Sequence, residues 1–139
     1  MKIERYLRIR KELEPGKTLV LLGPRRVGKT TLLTEFVEAS TEPVALYRGD
    51  ELSTQHAFAL PDSATLKPLI GSNTILAIDE AQAIPSVGQT LKIINDTMPE
   101  VSVIVTGSSS FELAGQVGEP LTGRKTTRYL YPVALSELL

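Results

Sequence analysis

One stretch of the sequence combines the residue types that could hold a phosphate group. Gly23 to Thr30 reads G-x-x-x-x-G-K-T, and the apolar run TLVLL precedes it at residues 18–22. Glycines allow backbone N–H groups to turn inward and approach an anion. The helix predicted for residues 29–39 would add the partial positive charge of its N-terminus. The motif and its position between a strand and a helix match a P-loop.

Each residue of a P-loop has an expected task. Lys29 would contact the β- and γ-phosphates of a nucleotide, and the Thr30 hydroxyl would bind magnesium. Arg25 and Arg26 occupy variable positions, where they either raise the local positive potential for nucleotide capture or face a partner subunit. The simpler alternative for the whole stretch is a glycine-rich turn with a solvated lysine. The predicted nucleotide-binding residues are Gly23, Pro24, Arg25, Arg26, Val27, Gly28, Lys29, Thr30 and Thr31.

Two neighbouring carboxylates follow a later apolar run. In ILAIDEAQ, Asp79 lies 50 residues after Lys29, and Glu80 is next to it. In a parallel sheet the C-terminal ends of the strands face the ligand site. Asp79 would then complete the magnesium site with Thr30, since magnesium needs few protein carboxylates. Glu80 would polarise the attacking water. The alternative is an acidic pair that caps the next helix.

Hydroxyl groups and an arginine near the C-terminal half are further candidates for catalysis. Thr106 and Ser108 lie at the end of the strand VIVT and could sense the γ-phosphate or orient water, or they belong to a serine cluster that caps a helix. Arg124, in LTGRK, could reach the γ-phosphate of a neighbouring subunit, and such a contact is worth about 10³- to 10⁵-fold in rate. Its alternative is a solvated basic turn.

Composition excludes several classes of protein. The 139 residues carry a net charge of −1 and no cysteine, so disulfides, thiolate metal sites and cysteine nucleophiles are excluded. A surface that binds nucleic acid mainly through phosphates is usually basic, so we expect no such role except through regions beyond this sequence. No apolar run reaches the length of about 20 residues that spans a membrane. We expect a soluble, cytoplasmic protein. His56, the only histidine, has no cluster of metal ligands around it.

Apolar runs alternate with helical patterns along the chain, which predicts an α/β fold with a parallel sheet covered on both faces. A helix is predicted around the stripe of Val87, Leu91, Ile94 and Met98, and two short helices broken around Pro61 are predicted within residues 51–71. The Ser136-Glu-Leu-Leu end reads as the start of a helix, so we expect the 139 residues to be part of a longer protein or a truncated copy. The other predicted helices are 3–13, 29–39 and 109–117, and the predicted strands are 18–22, 43–47, 74–78, 101–106 and 126–131.

Several motifs together resemble one family. They are GPRRVGKTTLL, LAIDEAQAIP, LKIINDTMPE, VIVTGSSSFELAG and LTGRKTTRYLYPVALSEL, and they cover nearly the whole chain. The sequence resembles a group of bacterial and archaeal AAA+ ATPases, close to the STAND-like ATPases, in which an uncharacterised C-terminal region follows the nucleotide domain.

The resemblance implies a three-layer αβα P-loop fold over residues 1–139, with a five-stranded parallel sheet of order 5-1-4-3-2. It implies ATP and Mg²⁺ as cofactors, ATP hydrolysis, Thr106 or Ser108 at the sensor position, and Arg124 as the arginine of the Gly-Arg motif. The helical lid and the C-terminal region of the family would be missing after Leu139.

Three functions follow from these residues. The first is an ATPase in which Glu80 aligns water. The second is a switch that binds ATP or ADP, turns over slowly and changes a contact with a protein partner. The third, a GTPase or small-molecule kinase, is disfavoured because the sequence has no Asn-Lys-x-Asp motif and little room for an acceptor site. A homo-oligomer would use Arg124 in trans.

Overall fold

The strands of the molecule form one parallel sheet. The computed structural model describes residues 7, 9–22, 29–60, 62–107 and 125–129, of which Lys29 and 125–129 are described by their backbone alone. The sheet has the order β2-β3-β4-β1-β5, and every neighbouring pair is parallel. The strands are β1 (Thr18–Leu22), β2 (Val44–Arg48), β3 (Ile75–Asp79), β4 (Ser102–Gly107) and β5 (Lys125–Tyr129).

The predicted α/β fold with a parallel sheet is confirmed. Strands β1 to β4 follow the order 1-4-3-2, and the backbone of β5 pairs with β1 at the edge. From that edge the order is the 5-1-4-3-2 that the resemblance implies. The parallel pairing brings the C-terminal ends of all strands to one edge of the sheet, where a ligand site is expected.

Helices connect the strands. Residues 7 and 9–12 are helical and form α1, and a short 3₁₀ turn spans Ala81–Ala83. The remaining helices are α2 (Lys29–Ala39), α3 (Leu52–Ala57), α4 (Ser63–Ile70) and α5 (Val87–Thr97). Helices α3 and α4 confirm the two short helices predicted on either side of Pro61. In the part of the chain that the structure describes, no helix has both the length and the apolar character needed to cross a bilayer.

Strands β1, β3 and β4 are buried on both faces of the sheet, and their residues alternate between two hydrophobic clusters. On one face Val20, Leu22 and Ile78 pack with residues of α4 and α5. On the other face Leu21 and Ala77 pack with Leu32, Leu33 and Phe36 of α2 and with Ile9 and Leu13 near the N-terminus. The predicted stripe of Val87, Leu91, Ile94 and Met98 is fully buried in the first cluster. The described part of the chain is therefore a three-layer αβα arrangement.

The strand boundaries differ slightly from the prediction. The sequence pattern predicts that β3 ends at residue 78, but the strand continues through Asp79, which lies opposite Arg48 in the parallel ladder. The backbone N–H of Gly49 donates to the carbonyl oxygen of Asp79 at 2.6 Å, and this bond extends the ladder. Asp79 is thus a strand residue with a buried backbone, which fixes the direction of its carboxylate more firmly than a loop would.

Candidate functional site

The C-terminal edge of the sheet gathers polar side chains from three elements. Strand β3 ends at Asp79, strand β4 contributes Thr106, and helix α2 contributes Thr30 in its first turn. The loop between β1 and α2, residues 23–28, lies outside the described residues. The elements on either side of this loop are the strand and the helix that the P-loop motif requires.

Thr30 and Asp79 are in direct contact. The Thr30 hydroxyl donates to Asp79 Oδ2 at 2.8 Å. Asp79 is 4% exposed, and a buried carboxylate requires such partners to offset its lost hydration. The structure thus brings together the two residues predicted to bind metal. Their oxygen atoms are of the kind that magnesium prefers.

Thr106 joins Asp79 to Glu80. Its hydroxyl, which is fully buried, donates to Asp79 Oδ1 at 2.5 Å. The Thr106 hydroxyl oxygen in turn accepts a hydrogen bond from the backbone N–H of Glu80 at 2.9 Å. A threonine hydroxyl has a single proton to donate, and here the Asp79 carboxylate accepts it. We call Thr30, Asp79, Thr106 and Glu80 the four-residue network.

The backbone of Glu80 adopts a conformation that is uncommon for a residue with a side chain. Its φ of 52° and ψ of 49° lie in the left-handed region, which costs about 1–2 kcal/mol for an L-residue other than glycine. Strained backbone of this kind is concentrated at functional sites. The bond from its N–H to Thr106 holds the turn in place as the chain leaves β3.

The acidic pair does not act as a helix cap. Glu80 precedes the 3₁₀ turn of residues 81–83, but its side chain accepts no capping hydrogen bond there. Instead Glu80 Oε2 accepts a hydrogen bond from Gln82 Nε2 at 2.6 Å. The Asp79 carboxylate is engaged by the two threonine hydroxyls. The capping alternative is therefore wrong for the described geometry.

Gly49 lies against the backbone of both acidic residues. A Cβ atom added at Gly49 would lie 2.3 Å from the carbonyl oxygen of Glu80 and 3.0 Å from that of Asp79. Only glycine allows this approach of the turn after β2. Gln55 Nε2 supports the turn by donating to the Gly49 carbonyl at 3.0 Å.

Sequence reasoning missed the parts that Gly49 and Gln82 play. Gln82 stands in the Asp-Glu-x-Gln motif, but the motif alone did not indicate a contact with Glu80. Gly49 follows β2 in an ordinary Arg-Gly-Asp turn, and nothing in the sequence distinguishes it from the other glycines. Both roles depend on how β2 and the 3₁₀ turn lie beside the end of β3.

The remaining predicted site residues are only partly described. Thr31 is exposed in the first turn of α2, and Lys29 begins that helix. The other predicted site residues lie outside the described residues: Gly23, Pro24, Arg25, Arg26, Val27, Gly28, Ser108 and Arg124. The helix predicted for 109–117 and the helical start at Ser136 lie outside them as well.

Within the described ranges, no group of three or more His, Cys, Asp or Glu side chains could hold a metal ion. A cation at the four-residue network would thus have few protein ligands. Magnesium commonly binds in this way, through one or two protein groups together with substrate phosphates and water.

Comparison with known proteins gives the chain a family context. The sequence model of a family described as AAA domain matches residues 15–139. Uncharacterized proteins of Mycobacterium bovis and Mycobacterium tuberculosis are each 32% identical to this chain over 119 residues, which is 84% of this chain and 25% of either relative. An uncharacterized protein of Methanocaldococcus jannaschii is 27% identical over 131 residues, which is 92% of this chain and 29% of the relative. This chain thus spans little more than a quarter of the length of these relatives.

A solved structure shares the fold. The flagellar accessory protein FlaH from Methanocaldococcus jannaschii matches with a TM-score of 0.51 and 11% sequence identity. The match covers 87% of this chain and 75% of that structure. At this identity the likeness is one of fold alone.

Proposed function

Because this chain belongs to the AAA domain family, we propose that it binds ATP with Mg²⁺ and hydrolyses the γ-phosphate. The observation that carries the proposal is the four-residue network. In it a hydroxyl from the first turn of α2 and a strand-end carboxylate meet at 2.8 Å, with Glu80 held beside them. This hydroxyl belongs to Thr30, the last residue of the predicted P-loop.

The residues at this edge suit a magnesium–nucleotide complex. Thr30 and Asp79 would hold Mg²⁺, and when bound the ion would neutralise charge on the β- and γ-phosphates. Residues 23–28, apart from Pro24, would supply backbone N–H groups to the phosphates at the N-terminus of α2. Lys29 would add a cation, and Thr31 would supply a hydroxyl or backbone contact.

Glu80 would act on the attacking water. Its carboxylate accepts a hydrogen bond from the water, which orients a lone pair towards the γ-phosphorus. The new P–O bond forms as the bond from the γ-phosphorus to the bridging oxygen breaks, and ADP leaves with that electron pair. The excess proton of the water passes to the carboxylate or to the released phosphate.

Thr106 is better explained as a positioning residue than as a sensor of the γ-phosphate. Its proton is donated to Asp79, and its oxygen accepts the Glu80 N–H. It would therefore act on catalysis by fixing Asp79 and Glu80 relative to each other. Ser108 and Arg124 stay as predictions, the first for sensing the phosphate and the second for contact with the nucleotide of a neighbouring copy.

The finer assignment to the STAND-like group rests on the sequence motifs, and the cytoplasmic location and a contact with a protein partner remain separate predictions. Arg124 in trans would make turnover depend on assembly of several copies. What the ATP cycle drives would then be decided by regions that lie outside this sequence in the longer relatives.

Titration calorimetry tests the binding part of the proposal. We expect ATP to bind more tightly with Mg²⁺ than in EDTA, and more tightly than GTP. The Lys29→Met variant should lose ATP binding, whereas Lys92→Met on α5 should retain it. Equal heats for the wild type and Lys29→Met would contradict the proposal. Tight ATP binding without phosphate release would instead support a nucleotide-dependent switch.

A further inference from the structure

In the side-chain amide of Gln82, the nitrogen has a hydrogen-bond partner and the oxygen has none within the described part of the chain. Its Nε2 donates to Glu80 Oε2 at 2.6 Å. Its Oε1 is buried and accepts no hydrogen bond among the residues that the structure describes. Gln82 itself is only half-buried and lies in the 3₁₀ turn directly after Glu80.

The orientation of this amide follows from its partner. An ionised carboxylate can only accept hydrogen bonds, so the NH₂ group of the amide must face Glu80. The flipped amide would place two acceptor oxygens against each other. The contact with Glu80 therefore determines the direction of Gln82 Oε1.

A buried acceptor without a donor destabilises the folded state, and native proteins contain few such atoms. Exposure to solvent would have removed this cost, but the atom is shielded. An unsatisfied polar atom beside the Glu80 carboxylate suggests a donor that reaches it only when the groups covering the atom move during function.

We propose that Gln82 Oε1 is the second hydrogen-bond acceptor for the attacking water. The inference rests on the proposed hydrolysis. The water would donate one O–H to the Glu80 carboxylate and the other to Gln82 Oε1, which leaves a lone pair for the γ-phosphorus. With two acceptors the orientation of the water is fixed, whereas Glu80 alone would leave it free to rotate about one hydrogen bond.

The Gln82→Met variant tests this directly, because methionine has a similar length and shape but neither donates nor accepts strongly at these positions. In the full chain we expect kcat to fall about 10²-fold, the scale of a mispositioned reactant. KM for ATP and the affinity for ADP should stay within about twofold, since an acceptor for water does not hold the nucleotide. Retention of ADP with aluminium fluoride, which imitates the transferring phosphoryl group with its axial oxygen, should weaken strongly.

Gln89→Met provides the matched control. Gln89 is exposed on α5, and its replacement should leave kcat, KM and ADP–aluminium fluoride retention unchanged. If Gln82→Met does not fold by circular dichroism, Gln82→Asn should show the same loss in kcat, because the shorter side chain withdraws the oxygen by one methylene.

The outcomes are distinct. An unchanged kcat in a folded Gln82 variant, beside an active wild type, overturns the role of Gln82 and leaves the proposed hydrolysis intact. A faster variant also overturns it, because the amide would then hold Glu80 away from the water. A wild-type chain that neither hydrolyses ATP nor retains ADP–aluminium fluoride overturns the proposed function together with this inference.

Discussion

The hydroxyl of Thr106 donates a buried hydrogen bond of 2.5 Å to Oδ1 of Asp79. The two residues lie at the ends of neighbouring parallel strands, β4 and β3. Because the Thr106 oxygen also accepts the Glu80 N–H at 2.9 Å, a single hydroxyl group sets the carboxylate proposed for metal binding and the backbone of the residue proposed to act on water. The site therefore depends on the pairing of β3 with β4.

Thr106→Val should lower both stability and turnover. Valine has nearly the same shape but leaves the N–H of Glu80 without its acceptor, and a buried unsatisfied group costs about 1–3 kcal/mol. The free energy of unfolding from denaturant titration should fall by that amount, and kcat should fall while ATP still binds. Thr106→Ser is the matched control. It retains the hydroxyl, so most of the turnover should return even though the loss of one methyl group costs about 1 kcal/mol of stability. Equal kcat values for Thr106→Val and the wild type would show that Thr106 does not position Asp79 and Glu80 for turnover.

Asp79→Asn should weaken the effect of Mg²⁺ on ATP binding without weakening ATP binding in the absence of the metal. Asparagine can still accept the Thr106 hydroxyl hydrogen bond, but the variant presents an uncharged amide to Thr30. Calorimetry should show the gain in ATP affinity on adding Mg²⁺ reduced by tenfold or more, since charge is what a hard cation binds. Affinity for ATP in EDTA should change little. Asp96→Asn, on the exposed side of α5, is the control that should respond to Mg²⁺ as the wild type does. A full Mg²⁺ response in Asp79→Asn would argue that Asp79 has no part in metal binding.

Much of the fold could be predicted from the sequence because hydrophobic pattern determines it. Runs such as TLVLL and VSVIVT carry apolar residues on both faces of a strand, so they indicated buried parallel strands. The stripe from Val87 to Met98 indicated a helix packed on the sheet. The pairing of Thr30 with Asp79 was also predictable, since parallel strands bring their C-terminal ends to one edge.

The finer features of the site depend on tertiary contacts and could not be predicted. From the sequence, Thr106 could sense the γ-phosphate, orient water or belong to a capping cluster. In its position opposite Leu21 in the β1–β4 ladder and beside β3, its hydroxyl instead donates to Asp79. The left-handed backbone of Glu80 has no local signal, because glutamate disfavours that conformation. Gly49 becomes essential only because the turn after β2 contacts the Glu80 carbonyl oxygen.

At Glu80 and Ser86 a glycine variant should be more stable than an alanine variant, which is the reverse of the usual order inside a helix. Both residues have positive φ, 52° and 54°, where a Cβ atom costs about 1–2 kcal/mol. We therefore expect Glu80→Gly to be more stable than Glu80→Ala, and Ser86→Gly more stable than Ser86→Ala, by about 1 kcal/mol in denaturant titrations. At Gln89, inside α5, alanine should instead be the more stable by about 1 kcal/mol. If alanine were the more stable residue at Glu80, the turn after β3 would not have the conformation described.

Substitution of Glu80 by glutamine is the sharpest test of hydrolysis at this site, because it changes one oxygen of the side chain to NH₂ and leaves the contacts between Asp79 and Thr106 in place. The measurement is paired on the full chain: phosphate release under saturating Mg²⁺–ATP, and ATP affinity by calorimetry. We expect Glu80→Gln to lose phosphate release by at least about 10²-fold and to bind ATP with an affinity close to that of the wild type. Phosphate release at the wild-type rate in Glu80→Gln would show that the Glu80 carboxylate does not act on the attacking water.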